Sequence, residues 1–203
     1  PKTAPSTTRR TGGVATSPMA ISVPRGDGRI LSLDMATATA GVGKLMHYKA
    51  TNQPLGASWA LDADGNPTID PQKAVLPTPM GGPKGSGLSF MFECITSLMV
   101  GPSLIGRWLT GEARLHKQNV VLVAVDITAF IDLDAYKAEA EYLVAAIKDL
   151  PKADGIDEIF MPGERGDVIF EQRLRDGIPV PQATWDAVGA AADRFGVPLP
   201  EVI

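Results

Sequence analysis

Residues 119–127 (NVVLVAVDI) are almost continuously apolar and rich in β-branched side chains. A segment of this kind predicts a strand in a sheet that is buried on both faces. Such a sheet needs helices to cover it. Residues 88–100 form an apolar helical pattern, and residues 135–150 form another that follows a capping carboxylate at Asp132 or Asp134. We therefore predict an α/β fold, with a mixed sheet and flanking helices.

Shorter elements precede this strand. Residues 19–23 (MAISV) and 30–35 (ILSLDM) have the composition of two strands, and the Gly-Asp-Gly between them predicts an antiparallel hairpin. Small residues after Ala36 lead into a helix that we expect to end near Lys49. The polar residues 1–11 are predicted to be extended or disordered.

The composition changes after Pro151 to a loop containing MPGERGD. Two short helices are predicted after it, at about residues 167–176 and 182–195. We place a domain boundary near residue 155, which separates residues 12–155 from a helical segment, residues 156–203.

Charge and composition exclude several classes of protein. The net charge of -4 argues against a nucleic-acid surface, which needs clustered Lys and Arg. Residues 88–100 are interrupted by Glu93 and are too short to span a bilayer, so we expect them to form a buried helix. The single cysteine, Cys94, allows no disulfide within the chain and indicates a reducing compartment, which we take to be the cytoplasm. Its apolar surroundings favour core packing over catalysis.

Residues 81–87 (GGPKGSG, the glycine loop) open the apolar helix. Glycines let backbone N–H groups approach a phosphate at a helix N-terminus, and Lys84 would add a full positive charge. The spacing matches neither the Walker A loop nor the G-x-G-x-x-G fingerprint. A turn that only starts a helix remains the alternative interpretation.

Other polar candidates are less specific. Asp62 and Asp64 lie in a tight turn that fails the EF-hand pattern; Asp64 is best explained as a turn former, whereas Asp62 is expected to point inward. His47 and His116 lack the spacing of a metal pair, so no metal site is predicted. Arg165, together with two arginines of the following helix, Arg173 and Arg175, would suit a carboxylate or phosphate, although a charged helix face explains the latter two equally well.

Five motifs, taken in order, carry a resemblance. They are ATSPMAISVP (residues 15–24), LDMATATAGVGKL (33–45), WALDADGNPTIDP (59–71), LPTPMGGPKGSGLSFMFECI (76–95) and MPGER (161–165). Together they resemble the type-2 malate/L-lactate dehydrogenase family, which includes sulfolactate and ureidoglycolate dehydrogenases, diketogulonate reductase and piperideine-carboxylate reductases. The match runs from about residue 12 to the C-terminus.

The resemblance implies NAD or NADP as cofactor, held in a fold other than the Rossmann fold, and a homodimer. It assigns residues 12–155 to the cofactor-binding domain and places Asp62 near the reacting centre as the catalytic carboxylate of this chain. The residues implied to contact the cofactor are Ser32, Leu33, Asp34, Met35, Ala36, Thr37, Ala38, Pro83, Lys84, Gly163, Glu164 and Arg165.

The same family carries a Ser-His-Gly motif, whose histidine donates the proton, before the region matched here. Residues 1–13 do not contain it. The resemblance therefore implies that this chain is the C-terminal portion of a split or cleaved dehydrogenase. It would be inactive alone and would pack residues 156–203 on the missing N-terminal portion, a companion chain.

The implied reaction is hydride transfer between the nicotinamide and C2 of a small 2-hydroxy acid, 2-oxo acid or cyclic imine. Two alternatives remain: a non-catalytic binding or regulatory subunit of the same fold, and a nucleotide hydrolase that uses the glycine loop. The latter is disfavoured because no Gly-Lys-Ser/Thr follows at the required spacing.

Overall fold

A computed structural model describes residues 4–5, 12–14, 17–103, 106, 110 and 119–200. His116 and most of residues 1–11 lie outside this part of the chain, so the predictions made for them are not addressed. The chain divides into two compact units. The first comprises Pro1–Ser22 and Ser32–Tyr136, and the second comprises Val23–Leu31 and Lys137–Ile203.

The strands form three small sheets. Strands β1 (Ala4–Pro5) and β2 (Gly12–Val14) pair antiparallel. Strands β3 (Pro18–Pro24) and β4 (Ile30–Ala36) form the predicted hairpin, whose turn contains Gly28 at a φ of 80°. Strand β5 (Ala60–Leu61) lies between β6 (Pro67–Thr68) and β7 (Leu76–Pro77) and pairs antiparallel with both.

The predicted helices form with small shifts of their ends. Helix α1 spans Val42–Thr51, and α2 spans Pro83–Glu93 and continues into a π-helical turn, Cys94–Leu98. Helix α3 spans Leu133–Lys148, α4 spans Glu164–Asp176, and α5 spans Gln182–Phe195. Before α3, the carboxylate of Asp132 accepts a hydrogen bond from the Ala135 N–H at 2.9 Å, which confirms one of the two predicted caps. The combination of helices and sheets confirms the predicted mixture of α and β elements, but the described strands form three small sheets where one mixed sheet was predicted.

The strand predicted at residues 119–127 is wrong for the structure of this chain. Residues 119–126 form no strand, and within residues 119–129 only Ile127–Ala129 has regular secondary structure, a 3₁₀ turn. Leu122 is 89% exposed and Val123 is 80% exposed. The backbone groups of residues 119–125 find no hydrogen-bond partner among the described residues. A β-branched composition favours a strand, but a strand also needs a neighbour to pair with, and the described chain provides none.

The expectation that residues 88–100 form a buried helix is also wrong. The helix is present, but Phe90, Met91, Met99 and Val100 are each more than half exposed. Cys94 is half-buried. A helix that is apolar all round is buried only where neighbours cover every side. The described residues cover one side, through Gly85, Ser89 and Ser97.

The division between the units falls inside α3, between Tyr136 and Lys137, whereas the composition predicts a boundary near residue 155. The difference arises because the hairpin turn, residues 25–29, groups with the second unit. Its Arg25 pairs with Glu141 of α3, so the C-terminal half of α3 belongs with the same unit. A functional boundary at 155 remains a prediction.

Candidate functional site

The loop that follows β4 is joined to the segment that precedes the glycine loop. The Met80 N–H donates to the Thr37 carbonyl at 2.9 Å, and the Thr39 N–H donates to the Thr78 carbonyl at 2.8 Å. Between these bonds, Ala38 and Pro79 form an antiparallel bridge. Two motifs that lie about forty residues apart in sequence are thereby held side by side.

Thr37 also fixes helix α2. Its side chain is completely buried, and its hydroxyl forms a hydrogen bond with the hydroxyl of Ser89, also buried. A buried hydroxyl without a partner is costly, so this pair favours a single placement of α2 against the loop. Thr37 and Ala38, two of the predicted site residues, are therefore structural anchors of the first unit.

Gly85 sits where no side chain fits. A Cβ atom at this position would lie 2.5 Å from the Met80 carbonyl oxygen and 2.6 Å from that of Thr37. These atoms belong to the backbone and cannot move aside easily. The glycine is required because the helix start packs directly on the junction of the two loops.

Most N–H groups of the glycine loop already donate hydrogen bonds to carbonyl groups of the loop itself or of the two residues before it. Gly82 donates to Pro79 at 3.1 Å, Gly85 to Met80 at 2.8 Å and Ser86 to Gly82 at 3.2 Å. The loop is therefore the start of α2, with Pro83 in its first turn, and is not an open nest of donors. A ligand anion here would be held by Lys84, whose side chain is exposed and has no acidic partner among the described residues.

Strand β4 carries the other predicted contacts of the first unit. The Ser32 hydroxyl is 2.9 Å from that of Ser22 on β3. Leu33 and Asp34 are exposed, whereas Met35 and Ala36 are half-buried. The strand thus leads from an exposed region into the buried Thr37.

Asp62 organises the turn between β5 and β6. Its Oδ1 accepts hydrogen bonds from the N–H groups of Asp64 at 3.0 Å and Asn66 at 2.9 Å. Its Oδ2 has no partner among the described residues. The carboxylate is half-buried, held in place through one oxygen and available through the other.

His47 lies exposed on α1, with its ring edge-on to Tyr48 at a centroid distance of 6.1 Å. Tyr48 packs in turn on Trp59 at 5.4 Å, and the Lys44 ammonium lies 4.2 Å from the Trp59 ring centroid. This cluster fastens α1 to the β5 region. Within the described part of the chain, no group of acidic, histidine or cysteine side chains is arranged to hold a metal ion.

The MPGER turn (residues 161–165) lies in the second unit and precedes α4. Gly163 has a φ of 97°, which a residue with a side chain rarely adopts. The Glu164 N–H donates to the Met161 carbonyl at 3.1 Å, and the Glu164 carboxylate accepts from the Met161 N–H at 2.9 Å. The turn is closed from both sides, while Arg165 remains exposed without an acidic partner among the described residues.

Two cations hold Glu164, the buried Arg25 and the half-buried Lys148. The Lys148 ammonium lies 2.7 Å from its Oε2, and Nη1 of Arg25 lies 3.2 Å from its Oε1. Burial alone would raise the pKa of Glu164, but the hydrogen bonds from Lys148 and Met161 outweigh it, and the net pKa is lowered. The carboxylate is therefore ionised and bound to protein.

Arg25 is a residue that the sequence analysis missed. It is only 5% exposed, and it also donates to both oxygens of Glu141, through Nε at 2.8 Å and Nη2 at 3.0 Å. The Glu141 pair raises the pKa of Arg25 and lowers that of Glu141. No local pattern links Arg25 to acids so distant in sequence, so only the three-dimensional structure reveals the cluster.

The predicted site residues thus fall into two groups. Ser32 to Ala38, Asp62, Pro83 and Lys84 belong to the first unit, where hydrogen bonds join residue 37 to the start of α2. Gly163, Glu164 and Arg165 belong to the second unit. None of the described helices combines the length and hydrophobicity needed to cross a bilayer.

Comparison with known proteins identifies relatives over nearly the whole chain. A sequence profile described as malate/L-lactate dehydrogenase matches residues 2–189. Malate dehydrogenase from Pyrococcus horikoshii is 31% identical over 206 residues, covering 92% of this chain and 56% of that protein. A Δ¹-pyrroline-2-carboxylate reductase from Agrobacterium fabrum is 30% identical, covering 96% of this chain and 52% of that protein.

A solved structure agrees with these matches. Sulfolactate dehydrogenase from Methanocaldococcus jannaschii superposes with a TM-score of 0.75 at 28% identity, covering 97% of this chain and 57% of that protein. The present chain spans a little over half the length of each of these relatives. The resemblance inferred from the five motifs is confirmed.

Proposed function

This chain belongs to the malate/L-lactate dehydrogenase family, and on that basis we propose that it is the cofactor-binding part of an NAD(P)-dependent oxidoreductase. The reaction is hydride transfer between the nicotinamide and C2 of a small 2-hydroxy acid, a 2-oxo acid or a cyclic imino acid. The family resemblance implies that the nicotinamide-binding fold is other than Rossmann, and a glycine loop that does not match G-x-G-x-x-G and is closed by its own hydrogen bonds supports this proposal.

The observation that carries the proposal is that each unit, taken by itself, places an exposed cation in the first turn of a helix. Lys84 lies in the first turn of α2 and Arg165 in the first turn of α4, and both are exposed without an acidic partner among the described residues. A dinucleotide presents phosphate groups, for which a cation at a helix N-terminus is well suited. The bound nicotinamide would supply the group that accepts or donates hydride.

The chain's own residues position that cofactor and the substrate. The Thr37–Ser89 pair and Gly85 hold the loop and the start of α2 rigidly together, so that Lys84 is presented from a fixed frame. Ser32 to Ala38 line the strand that leads to this frame. The family resemblance places Asp62 near the reacting centre, and its Oδ2, which has no partner among the described residues while Oδ1 is held by the turn, supports this proposal.

The proton donor is proposed to come from a companion portion that carries the Ser-His-Gly motif. His47 is exposed and packs edge-on to Tyr48, an arrangement that gives no sign of a proton-transfer role. The chain spans about half the length of its relatives, and the second unit leaves many large apolar side chains uncovered. Those more than half exposed on or near α4 and α5 are Val168, Phe170, Leu174, Ile178, Phe195 and Val197. Exposed apolar surfaces are typical of interaction sites, so these side chains support the proposed companion portion.

The complete unit is proposed to form a homodimer in the cytoplasm. The assay for the proposed function mixes this chain with its companion portion and follows NADH and NADPH absorbance with a panel of 2-oxo acids and cyclic imines. We expect turnover by the mixture and none by either part alone. Absence of turnover with every substrate, although dinucleotide binds, would contradict the catalytic assignment.

A non-catalytic binding subunit is the second candidate. It is favoured by the lack, among the described residues, of a histidine placed to donate a proton. Purification of the native protein separates the two possibilities: a companion polypeptide with Ser-His-Gly supports the enzyme, and a preparation that binds dinucleotide without one supports the binding subunit.

A further inference from the structure

Arg25 has a buried guanidinium that the proposed function has not yet used. It is 5% exposed and lies in the hairpin turn, and three carboxylates surround it. Glu141 binds it through two oxygens, Glu164 binds Nη1, and Asp27 lies 3.9 Å from Nη2. A buried charge is tolerated when it is paired in this way, and the planar guanidinium can bind two carboxylates in fixed directions.

Glu164 is the link between this cluster and the MPGER turn. Its carboxylate accepts from Arg25, Lys148 and the Met161 N–H, so both of its oxygens are bound by protein groups. The resemblance implied a cofactor contact for Glu164, but the geometry gives its side chain a different task. It closes the turn that carries Gly163 on one side and Arg165 on the other.

We propose that Arg25 is a positioning residue, which holds Glu164 and thereby sets the MPGER turn in the conformation that presents Arg165 to the phosphates of the dinucleotide. This proposal rests on the proposed function. It divides the turn into an anchor, Glu164, and a ligand contact, Arg165. The hairpin turn thus contributes to cofactor binding without touching the cofactor.

The test measures the dissociation constants of NADH and NADPH, by fluorescence, for the complete protein with its companion portion. Arg25→Lys keeps the charge but cannot bind Glu141 and Glu164 together in the geometry of a guanidinium. We expect it to weaken dinucleotide binding about tenfold, because a displacement of about 1 Å in a binding group costs up to about a hundredfold. Arg165→Met should weaken binding to a similar extent.

The double variant Arg25→Lys/Arg165→Met is the decisive arm. If Arg25 acts through Arg165, the double variant binds no more weakly than the worse single variant. If the losses of dinucleotide affinity in the two single variants multiply in the double variant, Arg25 does not act through Arg165 and the inference is overturned. Wild-type affinity in Arg25→Lys would also overturn it. Saturating dinucleotide should restore kcat in Arg25→Lys, so that the effect appears in KM.

Two further arms keep the test decisive. Glu164→Gln retains an acceptor for the Met161 N–H and should reproduce the weaker binding if Arg25→Lys does not fold; unchanged affinity in Glu164→Gln would contradict the inference. Arg194→Met on α5 is the matched control and should bind as wild type. Among the described residues, Arg194 lies against the Phe195 ring at 5.3 Å and has no acidic partner. A wild-type protein that binds neither dinucleotide would overturn the proposed function, a result distinct from failure of Arg25→Lys alone.

Discussion

Arg25 donates two hydrogen bonds to Glu141, through Nε at 2.8 Å and Nη2 at 3.0 Å, although the two residues are 116 positions apart. The same Glu141 oxygen that meets Nε also accepts from the Gly26 N–H at 3.1 Å. The pair therefore ties both the side chain and the backbone of the hairpin turn to α3. It makes the second unit one cooperative structure.

Arg25→Met is expected to lower the melting temperature by roughly 5 °C or more, because it leaves Glu164 partly buried beside one cation instead of two. Thermal unfolding followed by circular dichroism measures the change. Arg29→Met is the comparison, since Arg29 is exposed and, within the described part of the chain, pairs with Asp27 alone. Its melting temperature should stay within about 1 °C of wild type. Equal decreases in melting temperature in both variants would show that the buried Arg25 contributes no more to stability than the exposed Arg29.

Gly85→Ala is expected to destabilise the first unit by about 1–3 kcal/mol, since its Cβ would press on two backbone carbonyls. Gly87→Ala is the matched control on the same helix. A Cβ there meets nothing within 4 Å, so the alanine should be neutral or stabilising by up to about 1 kcal/mol. Urea unfolding gives both values, and a Gly85→Ala variant as stable as Gly87→Ala would refute the packing described here.

Stability should fall at acid pH. The pKa values of Glu141 and Glu164 lie below the ordinary value of 4.5, so the folded state binds fewer protons than the unfolded state near that pH. The stabilisation is complete above about pH 4.5 and is lost as the pH falls through the lowered values. Glu164→Gln should flatten this acid limb of the melting-temperature profile. An unchanged profile in that variant would mean that Glu164 contributes nothing to it.

Lys84→Met is expected to weaken NADH or NADPH binding by about ten- to a hundredfold, the range of a charged hydrogen bond to phosphate, with little change in melting temperature. Lys73→Met serves as the control, because Lys73 is 71% exposed and its one ion pair with a described residue is a long one, 3.9 Å from Asp70. Isothermal titration measures both. Equal affinities in the two variants would remove Lys84 from the site.

Hydrogen exchange at residues 119–125 tests the proposal of a companion portion. Their backbone groups have no partner among the described residues, so exchange in this chain alone should be fast. Addition of the companion portion should slow it, as the apolar run becomes covered. Hydrogen exchange that stays fast in an active complex would show that the companion portion does not bind at residues 119–125.

The local elements were predictable because local chemistry determines them. The Gly-Asp-Gly turn of the hairpin and the Asp132 cap of α3 depend on neighbours within a few residues. The same holds for the start of α2, where Pro83 lies in the first turn. The five motifs identified the family, which the comparisons confirm.

The features that the sequence did not predict depend on contacts between residues that are distant in sequence. Residues 119–127 have the composition of a buried strand, but pairing and burial are properties of the assembled fold, and the described chain provides neither. Arg25 and Glu164 are 139 positions apart, so no periodicity or spacing could join them. Sequence alone could assign Glu164 to a motif, and only its contacts show that the carboxylate is turned toward protein.

The most direct test of the account is a dinucleotide titration of the complete protein in its wild-type, Lys84→Met and Arg165→Met forms. We expect saturable binding of NADH or NADPH by the wild type and a clear loss of affinity in each variant, with melting temperatures unchanged. Wild-type protein that binds neither dinucleotide, or variants that bind as tightly as wild type, would contradict the assignment of these two helix starts to the cofactor.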